Sequence, residues 1–371
     1  PDEAFITRGV MRLLCLVAAL SCVAGKRLIQ FGEDQAPVWM TEAEVDAFRV
    51  AKPWGGLIDV TDEGAQKGTS APSRTASPIP TGPLQEELVR SLLPQLNQDN
   101  IEATIVHLAD NYHTRHRSSD DGVKSAQWIY EQFKEMAAGR EDVAVQLYEH
   151  PTVRQPSIIA IVEGQIDELV VIGGHFDSIA GAVSNRAPGA DDDGTGTACV
   201  MEAFRVLMKS GFKPNRTVHF IAFAAEEGGL IGSRDLVRRK YMGGDVPIMA
   251  MFNLEMNGYQ PDPNDPYITV LEDQYTDASL GVLVRQMARL YIGSEFRIHS
   301  GRCTYGCSDH VPFNEAGYRV SCIAEDGPFG RINPHIHTSR DTMQHVTMPQ
   351  TFQHAKLGLA FVVELALAPL C

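Results

Sequence analysis

Leu169-Val-Val-Ile-Gly-Gly-His-Phe-Asp-Ser178, followed by Ala187-Pro-Gly-Ala-Asp-Asp-Asp-Gly-Thr-Gly196, decides how this chain folds. Leu169 to Ile172 is a short, mostly β-branched apolar run, the pattern of a strand buried on both faces. His175 and Asp177 then fall at its C-terminal end, where open α/β sheets place their ligands. The second segment ends in glycines and continues with Ala198, Met201, Val206 and Leu207 at helical spacing, so it reads as a turn feeding a helix. Asp191, Asp192 and Asp193 repel one another unless a positive charge lies among them, and a metal ion supplies it economically. Seen alone, either segment more often means a solvated acidic turn beside a core histidine.

Outward from there, strands are predicted at 143–148, 157–162, 217–225, 248–254, 267–271 and 319–323. Helical periodicity covers 86–96 (interrupted by Pro94), 101–108, 125–136, 197–208, 278–291 and a last helix from Thr347 to about 367. Strands and helices alternate without repeats. The expected fold is therefore a single doubly wound α/β domain, with a mixed, mostly parallel central sheet and helices on both faces. Lys356 and Glu364 make the last helix a sheet-packing element, not a membrane span.

The chain has 371 residues and a formal net charge of −15, which argues against nucleic acid or an anionic membrane as partner. Met11-Arg12 precedes a short apolar run ending in small residues near Ala24, the pattern of a secretory signal peptide. Residues 1–10 read as upstream translation, 11–25 as the signal, 26–83 as a propeptide with its linker, and 84–371 as the main domain. Within the propeptide, Thr41-Glu-Ala-Glu44 is a capping box. The tract from Thr61 to Pro83 is rich in Ser, Thr, Ala, Gly and Pro and has little to bury. A secreted monomer released from its own propeptide is expected. Cys15 and Cys22 leave with the signal; of the remaining Cys199, Cys303, Cys307, Cys322 and Cys371, an odd number, at least one stays a free thiol. Cys303 and Cys307 are near enough in sequence to close a small loop, and Cys199 reads as buried. Asn215-Arg-Thr217 is a glycosylation sequon expected on an exposed turn.

Other strand ends carry the same chemistry. Ala224-Ala-Glu-Glu-Gly228 and Asn253-Leu-Glu-Met-Asn257 each follow an apolar run, and Asn333-Pro-His-Ile-His-Thr338 is followed by Asp341. A carboxylate behind a ligating histidine is its usual orienting partner. These motifs, with Cys303-Thr-Tyr-Gly-Cys-Ser-Asp-His310, resemble the M28 zinc metallopeptidases, in particular their secreted fungal and bacterial leucine aminopeptidases; the likeness runs from about Leu84 to the last helix. The resemblance implies two zinc ions per chain bridged by Asp192, with His175 and Glu255 completing one and Glu227 and His337 the other. It further implies Asp177 orienting His175, Glu226 as general base, a Cys303–Cys307 disulfide, and Tyr305 near the carbonyl of a peptide with a free N-terminus. Paired cations about 3.5–4 Å apart acidify water and polarise a carbonyl, which is what amide hydrolysis needs. Glu255 departs from the branch, which usually has Asp there. Glutamate resembles carboxypeptidase-like and glutaminyl-cyclase relatives, leaving a single-zinc acyltransferase or a carboxypeptidase-like exopeptidase as alternatives, and a catalytically dead binding protein as a third.

Overall fold

The computed structural model describes residues 25–31, 35–52, 56–61, 76–262, 264–303, 306–325 and 332–370. The upstream tract, the signal except Gly25, linker residues 62–75, Tyr305 and Cys371 lie outside the described residues. The N-terminal segment folds as β1 (Lys26–Gln30), β2 (Val38–Thr41), α1 (Glu42–Ala51) and β3 (Ile58–Asp59), in a sheet of order β2-β1-β3. The capping box is present. The Thr41 hydroxyl accepts from the Glu44 amide at 3.3 Å, and the Glu44 carboxylate accepts from the Thr41 amide at 2.7 Å. Ile29, Val45 and Leu57 give the segment a small core of its own.

Helices α2 (Glu86–Leu92), α3 (Gln98–Asp110) and α4 (Asp120–Met136) open the main body. Next come β4 (Val143–Tyr148), β5 (Ser157–Val162), β6 (Ile166–His175), α5 (Gly194–Ser210), β7 (Arg216–Phe223), α6 (Ile231–Leu236) and β8 (Ile248–Glu255). The chain finishes with β9 (Tyr267–Leu271), α7 (Ala278–Tyr291), β10 (Arg297–Gly301), α8 (His310–Glu315), β11 (Val320–Ala324) and α9 (Met348–Ala366). Eight strands form one mixed sheet in the order β10-β9-β11-β8-β6-β7-β5-β4. Its centre, β11-β8-β6-β7, is parallel, while β5 and β9 run antiparallel to their central neighbours. Helices cover both faces. Phe204, Phe220, Phe252 and Phe361 fill one core, and Ile221, Phe223, Leu236, Tyr241 and Phe313 the other.

This is the expected doubly wound fold. Strands β1, β2 and β10 and helices α6 and α8 were not anticipated. β10 carries a single aliphatic residue, Ile298, and so gives no apolar run. α6 begins after Leu230 in a left-handed conformation (φ 61°) with no capping side chain, and so shows no start signal. Asn215 is half-buried rather than on an exposed turn: its backbone amide donates to the Ala366 carbonyl at 3.0 Å and its side-chain oxygen accepts from Gln165 at 3.1 Å. Among the described residues no helix is long and apolar enough to cross a membrane.

Burial holds His219, on β7 beside the Tyr241 hydroxyl (2.8 Å), far below its ordinary 6.5, at about 3, with Lys240 adding to the effect. The unfolded chain therefore binds a proton near pH 6.5 that the folded chain refuses until about 3. Stability from this site is complete above 6.5 and drains as pH falls, at about 1.4 kcal/mol per pH unit. His219→Asn is expected to flatten the pH dependence of urea unfolding between pH 6.5 and 4.5, measured with chelator present; parallel slopes would contradict this.

Candidate metal centre

Because β6, β7, β8 and β11 are parallel, their C-terminal ends meet at one rim. β6 delivers His175, β7 runs into Glu226 and Glu227, β8 ends in Glu255, and Asp191–Asp193 lead into α5. Gly174 permits this convergence: a Cβ there would stand 2.8 Å from the Asp193 carboxylate and 2.9 Å from the Leu254 carbonyl. Asp193 caps α5 by accepting from the Gly196 amide at 3.0 Å, and it also accepts from Met256 (3.0 Å) and His175 (3.2 Å). Thr197 donates to the His175 carbonyl at 2.6 Å.

The predicted ligands come together. His175 Nε2 lies 3.2 Å from Asp192 Oδ1 and 3.6 Å from Glu255 Oε1. His337 Nε2 lies 3.0 Å from Asp192 Oδ2 and 3.0 Å from Glu227 Oε2. Asp192 thus turns one oxygen to each imidazole. His175, Asp193 and Glu255 also offer atoms within 4.8 Å of one another, as do Asp192, Glu227 and His337. Asp193 is already engaged by three backbone amides, so Asp192 is the better-placed oxygen donor for the first group.

The donor set fits cations. Each imidazole Nε2 faces two carboxylate oxygens, and its single N–H cannot point squarely at both. Glu227 Oε1 is buried without a hydrogen-bond partner. Burial, together with neighbouring carboxylates, pushes Glu226 well above the ordinary carboxylate range and raises Glu227. Burial would lower His337, yet Glu227 and Asp192 raise it to about 10. The cluster is short of positive charge, and nitrogen and oxygen donors without thiolate suit zinc.

Asp177 lies 3.3 Å from His175 Nδ1 and accepts from the amides of Glu226 (2.9 Å) and Glu227 (3.2 Å), tying the ends of β6 and β7 together. Ser308 donates a short hydrogen bond to Glu255. Cys303 and Cys307 are joined; Cys199 and Cys322 are buried free thiols. Ala225, Met256 and His337 have φ of 57°, 45° and 55°, a left-handed geometry that favours glycine and recurs where backbone is held for function.

Sequence reasoning missed several supports. Arg115, fully buried, donates to the carbonyls of Phe176 (2.6 Å), Leu108 (3.0 Å), Gly189 (2.8 Å) and Pro188, pinning both ligand-bearing segments. Burial lowers it to about 10 against the pull of Asp341, Asp177, Asp192 and Asp193, so it stays charged at neutral pH. Asp341, expected behind a histidine, instead accepts from the amides of Asp191 and Asp192, each at 3.1 Å. What faces His337 Nδ1 is the carbonyl of Arg49, at 3.4 Å. His310 is buried on α8 and His335 stacks on His345 at 3.8 Å; the two His–carboxylate groups found among the described residues contain His175 and His337.

The profile of "Peptidase family M28" matches residues 157–363. Leucine aminopeptidase 1 of Coccidioides posadasii (strain C735) is 35% identical over 362 residues, spanning 93% of this chain and 90% of that protein. Leucine aminopeptidase 1 of Ajellomyces dermatitidis (strain ER-3 / ATCC MYA-2586) is 34% identical over 388 residues, 98% of either chain. Among solved structures, the LapA aminopeptidase of Legionella pneumophila superposes with a TM-score of 0.82 at 30% identity, covering 94% of this chain and 97% of that one.

Proposed function

The chain belongs to peptidase family M28, and from that premise we propose that it is a secreted zinc aminopeptidase removing hydrophobic, leucine-like residues from peptide N-termini. The observation that carries this reading is Asp192 facing His175 and His337 through separate oxygens at 3.2 and 3.0 Å, with Glu226 next in sequence to Glu227, which lies 3.0 Å from His337. His175, Asp192 and Glu255 would hold one zinc, and Asp192, Glu227 and His337 the other; zinc bound there would polarise the scissile carbonyl and lower the pKa of water toward neutrality.

Glu226 takes the proton from the attacking water and passes it to the departing amine. Asp177 fixes Glu226 and Glu227 through their backbone amides and orients His175. Tyr305, which the family resemblance assigns near the substrate carbonyl, would donate to the developing oxyanion. Residues 11–25 direct export, and 26–83 form a propeptide with its linker; the product is a monomer acting on peptides, with neither nucleic acid nor membrane as partner.

The test compares leucine p-nitroanilide with its N-acetyl form, before and after a cut within residues 62–75. Hydrolysis is expected only with the free amine, with two zinc ions per chain by elemental analysis, loss on chelation and recovery with zinc. Cleavage of the blocked substrate, or one zinc with cyclisation of N-terminal glutamine and no hydrolysis, would overturn the reading.

A further inference from the structure

The backbone that carries Glu226 is held by side chains at four amides in a row. Ala224 donates to Ser157 Oγ at 3.0 Å and Ala225 to Gln155 Oε1 at 3.2 Å. Glu226 and Glu227 then donate to the two oxygens of Asp177, at 2.9 and 3.2 Å. The Asp177 half belongs to the metal centre described above. The other half comes from the loop before β5 and from the first residue of that strand, and both Gln155 and Ser157 are fully buried. Ala225 needs such holding, because its φ of 57° is a conformation that alanine adopts only at a cost.

Behind Ser157 stands a further set of side chains. His150 Nε2 lies 2.8 Å from Ser157 Oγ, and His150 Nδ1 lies 2.8 Å from Asp235 Oδ2 on α6. Arg239 donates to both oxygens of Asp235, at 2.7 and 2.8 Å, and to the Glu149 carbonyl at 2.8 Å. Serine, histidine and aspartate in this order form the array that activates a serine nucleophile in hydrolases. That use is closed here, since Ser157 has no exposed surface and its oxygen already accepts from Ala224. The same chemistry serves another end. Against its burial, His150 and Arg239 hold Asp235 below the ordinary carboxylate range, so it is an acceptor for Nδ1–H. Nε2 is then left with its lone pair and accepts from the Ser157 hydroxyl, which turns the hydroxyl oxygen's own lone pairs toward the Ala224 amide. Gln155 works in parallel. Its amide nitrogen donates to the carbonyls of Arg115 (3.0 Å) and Gly122 (3.2 Å), which fixes its oxygen toward Ala225.

We propose that Asp235, His150 and Ser157, with Gln155, are positioning residues for the general base: they orient the acceptors that pin Ala224 and Ala225, and so set where the Glu226 carboxylate stands. The proposal rests on the aminopeptidase reading above, in which Glu226 carries the proton. It gives the buried Ser–His–Asp array a task that needs no contact with substrate or zinc. An array that only braced the fold would change stability and leave turnover alone, whereas a positioning array changes kcat while zinc and substrate still bind.

The experiment uses the zinc-loaded enzyme cut within residues 62–75, as wild type, Ser157→Ala, Ser157→Thr and His150→Phe, assayed on leucine p-nitroanilide well below the melting temperature of each. Ser157→Ala and His150→Phe are expected to lower kcat about tenfold to hundredfold, the scale of a displacement of about 1 Å at a reacting group. KM and zinc content should stay at their wild-type values, and Ser157→Thr, which keeps the hydroxyl, should recover most of the rate. Backbone hydrogen exchange followed by mass spectrometry gives a readout independent of turnover. The peptide spanning 224–227 should exchange faster in His150→Phe, although that substitution removes no bond made directly to those amides. Wild-type kcat in folded Ser157→Ala and His150→Phe would overturn the proposal, whatever their melting temperatures. If no form hydrolyses the anilide while exchange at 224–227 still follows His150, the aminopeptidase reading fails and the positioning role stands. Asp235→Asn, which disturbs the imidazole from the far side of the ring, takes the place of His150→Phe should that one fail to fold.

Discussion

Glu226→Gln leaves zinc content unchanged and lowers kcat by about 10²–10⁴-fold, the range that a positioned proton carrier contributes. The neighbours make this expectation specific. Glu226 is not among the carboxylates that crowd the two imidazoles; those are Asp177, Asp192, Glu227 and Glu255. Its amide is held by Asp177 at 2.9 Å, and that bond involves the backbone, so glutamine keeps it. What glutamine loses is the capacity to accept and return a proton. The measurement is kcat and KM on leucine p-nitroanilide for the cut enzyme, with metal content determined on the same sample. KM should change little, because the lost interaction belongs to the transition state. Full turnover with two zinc ions present would falsify the role of Glu226 as base; loss of zinc would show that it is a ligand.

The rim of the sheet was legible in the sequence because its signals are local. Leu169–Ile172 reads as a buried strand on β-branched residues alone, and each ligand motif sits directly after such a run. Parallel strands then bring those ends together without further information. The supports were not legible, for a physical reason. Arg115 acts on backbone carbonyls in three separate segments, and Asp341 on two backbone amides 149 and 150 residues away. A side chain bonding to backbone places no demand on its partner's residue type, so nothing at Phe176 or Gly189 announces Arg115. Asp341 misled because an acid close behind His337 in sequence resembles an orienting partner, whereas its carboxylate is taken up by the amides of Asp191 and Asp192 and the Arg49 carbonyl faces His337 Nδ1. Arg49 was invisible for another reason: its meaning depends on where a whole three-stranded segment docks, which capping and periodicity do not address.

Asp192→Asn is expected to be the more damaging change, because it removes a shared group. The carboxylate serves the two imidazoles through different oxygens, 3.2 Å to His175 and 3.0 Å to His337. The His partners hold Asp192 well below the ordinary carboxylate range despite its burial, so the ionised form is the one built for this position. Asparagine offers one carbonyl oxygen and turns an NH2 donor toward the other side, where a cation would be repelled. Zinc should fall from two ions per chain to one or none. Activity should drop by about 10³-fold or more, since the Lewis acid and the source of acidified water are lost together. The stabilisation of the fold by added zinc should shrink in parallel, because a ligand that binds only the native state raises its stability by mass action. Elemental analysis and thermal unfolding across a zinc series measure both. Alanine at the same position supplies the control: it removes the oxygen without adding the misplaced donor, so zinc retained by Asp192→Ala but not by Asp192→Asn would place the damage in the NH2 group. Two zinc ions bound by both variants, with wild-type turnover, would mean that Asp192 does not bridge, and that His175 and His337 face it through hydrogen bonds alone.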